Sequence, residues 1–143
     1  MTEFKFLKAH GLGNDFVIFT EHSKLNISKE LVKFLSDRKK GVGCDLTVFL
    51  NKSENNYSDL VARFFNKDGS EAEVCGNALR CIGNYYFKKF NKNNVTVETN
   101  SGLIDVEKNI SEKISVDLGK PNISWDKIPI KNDVDTQNLD FDF

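Results

Sequence analysis

This 143-residue chain has no surplus of either charge: 20 Lys and Arg face 21 Asp and Glu, leaving a net charge of −1. It therefore lacks the basic excess expected of a nucleic-acid binder or of a protein held on an anionic membrane, and a small-molecule ligand is expected instead. Long apolar runs are missing as well. Residues 1–12 break their apolar pattern with charges, and no later stretch approaches membrane-spanning length, so neither an export leader nor a spanning segment is expected. Cysteine is scarce and odd in number. Cys44, Cys75 and Cys81 cannot all pair with one another, and without a secretion signal they fit a reducing, cytoplasmic setting better than a disulfide framework. No C-x2-C spacing occurs, and neither His10 nor His22 has a cysteine or carboxylate cluster placed to complete a metal site. No metal is expected.

What remains is a chain long enough for one ordinary domain but short for an enzyme with an active site between two domains. Residues 4–7 alternate like a half-buried strand until Lys8 breaks the pattern, and 16–20 is a second strand candidate. Gly11-Leu12-Gly13-Asn14-Asp15 between them is turn chemistry. Residues 28–38 place Leu31, Val32, Phe34 and Leu35 at helical spacing behind a Ser28 cap. A glycine-centred loop at 39–45 leads to a strand at 46–50, a polar surface loop at 51–56 and a strand at 60–65. Residues 77–90 carry Ala78, Leu79, Ile82, Tyr85, Tyr86 and Phe90 on one broad face, which predicts a largely buried helix. Strand candidates recur at 95–99, 103–107 and 113–118. Many strands around two helices predict an α+β architecture and not a βαβ nucleotide fold. Residues 1–120 are expected to form the domain, with 121–143 a linker or the start of another element.

The chemistry concentrates where Asp68-Gly69-Ser70-Glu71-Ala72-Glu73-Val74 ends and Cys75-Gly76-Asn77 opens the second helix. The thiolate is the reactive form of cysteine, and its pKa of about 8.5 falls when the sulfur faces the positive end of a helix. Unpaired N–H groups in the same first turn suit a carboxylate or phosphate. An isolated cysteine is more often a small buried apolar residue, and Cys44 and Cys81 are read that way. Glu71 and Glu73 read as favourable charges ahead of a helix N-terminus, without a catalytic role.

Four segments occur in order: Ala9-His10-Gly11-Leu12-Gly13-Asn14-Asp15-Phe16; Arg38 with Gly41-Val42-Gly43-Cys44-Asp45; Phe65-Asn66-Lys67-Asp68-Gly69-Ser70-Glu71; and Cys75-Gly76-Asn77 with Arg80-Cys81. Together they resemble bacterial diaminopimelate epimerase, across the N-terminal half of that family only. The resemblance implies strands wrapped around a central buried helix with Cys75 at its N-terminal mouth. It implies cofactor-independent interconversion of LL- and meso-diaminopimelate, on the route to lysine, by two cysteines that flank the α-carbon. Cys75 corresponds to one of the pair, while Asn14, Asn66, Gly76 and Asn77 match positions that bind the substrate. A homodimer is one assembly the resemblance allows.

Three departures stand out. Leu46 replaces a glutamine common in the family, and Ala78-Leu79 replaces a Gly-Ala pair. No cysteine follows Cys81 and no histidine follows His22, so the second thiol and the Asn-Pro-His segment of the family's C-terminal domain lie outside these residues. The family's first domain is also completed by a strand from the far end of the chain, which predicts an unpaired sheet edge here. Two other functions compete: a module that recognises an amino acid or partner without turnover, and an isomerase of the proline racemase or phenazine-pathway type.

Overall fold

Alternation along the strands gives one sheet two apolar faces, and each face buries a different helix. The computed structural model describes residues 4–20 and 26–139. Along them run β1 (Phe6–Gly11), β2 (Asn14–Phe19), α1 (Lys29–Ser36), β3 (Leu46–Lys52), β4 (Leu60–Asn66), β5 (Glu71–Ala72), α2 (Gly76–Phe90), β6 (Asn94–Thr99), β7 (Gly102–Lys108) and β8 (Ile114–Val116). The sheet order is β1-β2-β3-β4-β6-β7-β8, with β5 on β4. The pairs β2 with β3 and β4 with β6 are parallel, and each is crossed by a helix. These are local βαβ connections of a kind the expected class set aside. The remaining pairings are antiparallel, so the α+β class holds.

On the inner face, Phe16, Ile18, Val48 and Phe64 pack with Leu79, Ile82 and Phe87 of α2. On the outer face, Val17, Phe19, Phe49 and Phe65 pack with Val32 of α1. Helix α2 touches both β1 and β8, the two ends of the strand order. A sheet whose opposite ends meet one helix must curl around it, which is the predicted wrapping.

Several boundaries differ from the expectation because strand pairing, a non-local interaction, overrides local pattern. β1 does not break at Lys8: it pairs with β2 from Phe6 opposite Phe19 to Gly11 opposite Asn14. The turn therefore contracts to Leu12-Gly13, both with positive φ (55° and 86°), the geometry of a two-residue hairpin in which glycine is strain-free. β3 continues through Asn51 and Lys52, which pair with Val61 and Leu60, so the polar loop starts later. β8 covers only the middle of the expected strand. Ser28 caps α1 as expected, its Oγ accepting from Leu31 N at 3.2 Å, but the helix stops at Ser36. Phe34, expected on the apolar face of α1, is 57% exposed.

In α2 the buried face is rotated. Phe90 is half exposed while Phe87 is buried. Gly83 explains this, since a Cβ there would lie 2.6 Å from Val106 Cγ1 and 3.4 Å from the Phe87 ring. The missing side chain lets β7 and Phe87 close on the helix. Asn91, left-handed at φ 53°, ends α2 by donating its N–H to Phe87 O. Beyond β8 the described residues hold one 3-10 turn, Trp125–Lys127, with none of its residues buried.

Leu79 is fully buried and Phe34 is not, which separates the two helices in energy. Leu79→Ala is expected to cost about 2–5 kcal/mol, and Phe34→Ala no more than about 0.5 kcal/mol. Urea unfolding of both variants checks the ranking.

Candidate active site

Cys75 is the N-cap of α2, in extended backbone at φ −142° and ψ 105°, and its carbonyl accepts from Leu79 N at 2.9 Å. No side chain caps the helix and no acidic residue occupies its first turn. The first-turn N–H groups and the positive end of the dipole are therefore left for an anionic ligand. The thiol is free and half-buried.

The β1–β2 hairpin closes over this mouth. At Gly11 a Cβ would stand a tight 3.3 Å from Asn77 O, so the missing side chain eases the approach of the turn to the helix. That approach brings Asn14 Nδ2 within 4.0 Å of Cys75 Sγ, where the amide can donate to sulfur. Gly76, the first residue of α2, is similarly crowded: a Cβ there would meet Leu118 Cδ1 at 3.3 Å. The Asn77 Oδ1 accepts from Arg80 Nη2, so the guanidinium occupies the amide oxygen and leaves the amide donors for another partner.

The strand ends supply a row beside the thiol. Asn14, Leu46 and Asn66 stand two residues from Phe16, Val48 and Phe64, which face α2, and Leu46 pairs directly with Asn66. With a strand period of two, all three occupy the inner face at the end where α2 begins. Leu46 thus stands between the two asparagines and offers no polar contact. Asn66 is exposed, and its Nδ2 donates to Ser70 Oγ at 3.0 Å. Asn14 meets Cys75 through its side chain and Gly76 and Asn77 follow it in the chain, while Asn66 lies two strands from Asn14.

The outer face at the same end carries ions that sequence reasoning left without a role. Asp15 takes Arg38 through both oxygens (3.1 and 2.7 Å) and Lys8 at 2.7 Å. Asp45 takes Arg38 at 3.1 Å and Lys67 at 2.9 Å. Hydrogen bonds from the Arg38 guanidinium, aided by Lys8, hold the Asp15 carboxyl far below the usual carboxylate range. Asp45 is lowered by Lys67 and by the Asp15 amide. The signal in the sequence was the position of Asp15, Asp45 and Lys67, each next to an inner-face residue.

Other expectations resolve differently. Glu71 does not serve the dipole of α2: it forms a two-point pair with Arg63 at 2.7 and 2.9 Å. Cys44 is fully buried against Ser36 and Thr47 hydroxyls. Cys81 packs partly into the core, and burial pushes its thiol pKa up. Cys44 has the packed surroundings expected of it, while Cys81 is half-buried, as Cys75 is. Clefts of about 900 and 650 Å³ lie at the opposite end of the sheet, beside the β3–β4 loop, away from the thiol.

Comparison with known proteins agrees with the motif set. The family model described as diaminopimelate epimerase matches residues 6–124. The diaminopimelate epimerase of Carboxydothermus hydrogenoformans is 40% identical over 141 residues, covering 94% of this chain and 51% of that protein. That of Acetivibrio thermocellus is 41% identical over 137 residues, covering 90% and 48%. The chain spans about half the length of the curated relatives it matches. Among solved structures, a probable proline racemase from Agrobacterium radiobacter superposes with a TM-score of 0.63 at 15% identity, covering 80% of this chain and 41% of that one. A hydroxyproline epimerase from Agrobacterium vitis gives 0.61 at 14%, covering 78% and 40%. At such identities the likeness is one of fold.

Two outcomes follow from the site. Iodoacetamide is expected to label Cys75 at least about tenfold faster than Cys44 or Cys81, because Cys44 is buried and desolvation raises the Cys81 thiol pKa; peptide mass spectrometry with time reads the order. Asp15 has a lowered pKa in the folded chain, so its ionised form stabilises the fold above about pH 4 and that stability is lost as acid protonates it. Asp15→Asn should therefore lower the urea midpoint near neutrality, and the gap from the parent chain should narrow steadily below about pH 4.

Proposed function

The chain belongs to the diaminopimelate epimerase family, and we propose that it supplies one of two opposed thiols for inverting the α-carbon of 2,6-diaminopimelate. The observation that carries this reading is Cys75 Sγ at the uncapped start of α2, 4.0 Å from the Asn14 amide. In one direction Cys75 acts as thiolate and takes the α-proton onto sulfur, leaving the electron pair on carbon beside the carboxylate. The opposed thiol then gives its proton to the other face, and the new C–H bond completes inversion. In the reverse direction the two sulfurs exchange roles. No cofactor enters this scheme.

The first-turn N–H groups from Gly76 and Asn77 hold the substrate carboxylate, and the helix end stabilises the charge that builds beside it. Asn14 and Asn66 bind the amino acid from the strand ends. The opposed thiol comes from outside these residues, since Cys44 is buried, Cys81 lies on the helix that Cys75 caps, and the relatives are about twice as long. In this reading residues 1–120 are one domain, and 121–143 are a linker or the start of another element. The free thiols suit a reducing cytoplasm, where this step serves lysine biosynthesis.

The test is the interconversion of LL- and meso-diaminopimelate by the chain alone and joined to the remaining half of a relative. The chain alone should be inert, the joined protein active, and Cys75→Ala in it slower by about 10²–10⁴-fold. Turnover by the chain alone, or an unaffected Cys75→Ala, would contradict the proposal. Binding of diaminopimelate with no turnover in either form would favour a recognition module.

A further inference from the structure

We infer that the ion cluster on the outer face, Asp15, Arg38, Asp45 and Lys67, is a positioning device for the inner-face row that borders Cys75. The deduction starts from strand alternation. Asp15 follows Asn14, Asp45 precedes Leu46 and Lys67 follows Asn66, so each outer-face ion is bonded through one peptide unit to an inner-face residue of the site. The ions are linked across three strand ends. Arg38 bridges Asp15 at 2.7 and 3.1 Å to Asp45 at 3.1 Å, and Lys67 adds β4 at 2.9 Å.

Backbone bonds make the cluster stiff. Asp45 N donates to Asp15 O at 2.9 Å and to Asp15 Oδ1 at 3.0 Å, while Asp15 N donates to Asp45 Oδ2 at 3.2 Å. This reciprocal pairing continues the parallel β2–β3 contact past its last ladder pair, Phe16 with Leu46. The planar guanidinium, with its fixed fork, suits this task better than a flexible ammonium. Its consequence on the other face is the placement of Asn14 Nδ2 at 4.0 Å from Cys75 Sγ. The side-chain bonds of Arg38 run to Asp15 and Asp45, and the cluster acts on the thiol through Asn14.

The inference rests on Cys75 being the reactive thiol, and its test reads that thiol without requiring turnover. Two measurements on the 143-residue chain are compared: the iodoacetamide rate at Cys75 under native conditions, and the side-chain amide resonances of Asn14 by NMR. An amide donating to sulfur favours the thiolate, so Asn14→Ala should slow alkylation by about threefold to tenfold. Arg38→Gln should slow it similarly and move the Asn14 amide resonances toward solvent-exposed values. The double variant should be no slower than either single one, because both remove the same contact. Arg38→Lys should recover part of the rate. Arg63→Gln breaks the two-point pair with Glu71 on the same face and controls for lost stability; it should leave the Cys75 rate unchanged.

The inference is overturned if Arg38→Gln leaves the rate and the Asn14 resonances as in the parent chain, or if Arg63→Gln slows Cys75 equally. A Cys75 that reacts no faster than Cys81 in the parent chain would instead count against the reactive-thiol reading itself.

Discussion

Neighbouring side chains in an extended strand must point to opposite faces of the sheet, and at one end of this molecule that constraint separates structure from chemistry. Outward go Asp15, Asp45 and Lys67, tied together with Arg38. Inward go Asn14, Leu46 and Asn66, beside the first turn of α2. Neither arrangement stands without the other. The outer ions are worth little as isolated surface pairs, but a linked, two-point network on short backbone segments defines where the inner row sits.

Helix α2 is the second fixed body. Its buried face meets both ends of the strand order, so the sheet curls around it and the helix start can only open at the strand ends. Gly11 and Gly76 ease the approach of neighbouring segments, the hairpin to Asn77 and Leu118 to the helix start. The mouth formed this way has a thiol, donors from the backbone and an amide oriented by Arg80. It has one side only. That one-sidedness agrees with a chain that spans about half the length of its relatives.

Much of this was legible in the residues. The apolar spacing from Ala78 to Tyr86 locates α2, and the Ser28 cap locates α1. Motif order placed Cys75 at the helix start and associated Asn14, Gly76 and Asn77 with it. What escaped was set by partners distant in sequence. Lys8 looked like a strand breaker because its ion partner Asp15 lies across the hairpin. Phe87 was not among the residues named for the apolar face, and the absent side chain of Gly83 is what lets it and Val106 close on the helix. Phe34 had the right spacing for burial, yet α1 is short and offers mainly Val32 to the sheet. Asn66 matched a binding position, and its amide also donates to Ser70, which leaves its oxygen and a second N–H for a ligand.

The central claim is that Cys75 works on one face of an α-carbon with a second thiol opposite. The most direct measurement is deuterium uptake from D₂O by diaminopimelate at early conversion, using this chain joined to the remaining half of a relative. Two opposed thiols predict that inverted product carries one deuterium at its new stereocentre while unconverted substrate stays protiated. Substrate that returns labelled without inversion, at a rate matching product formation, would mean a single base reaching both faces and would contradict the account.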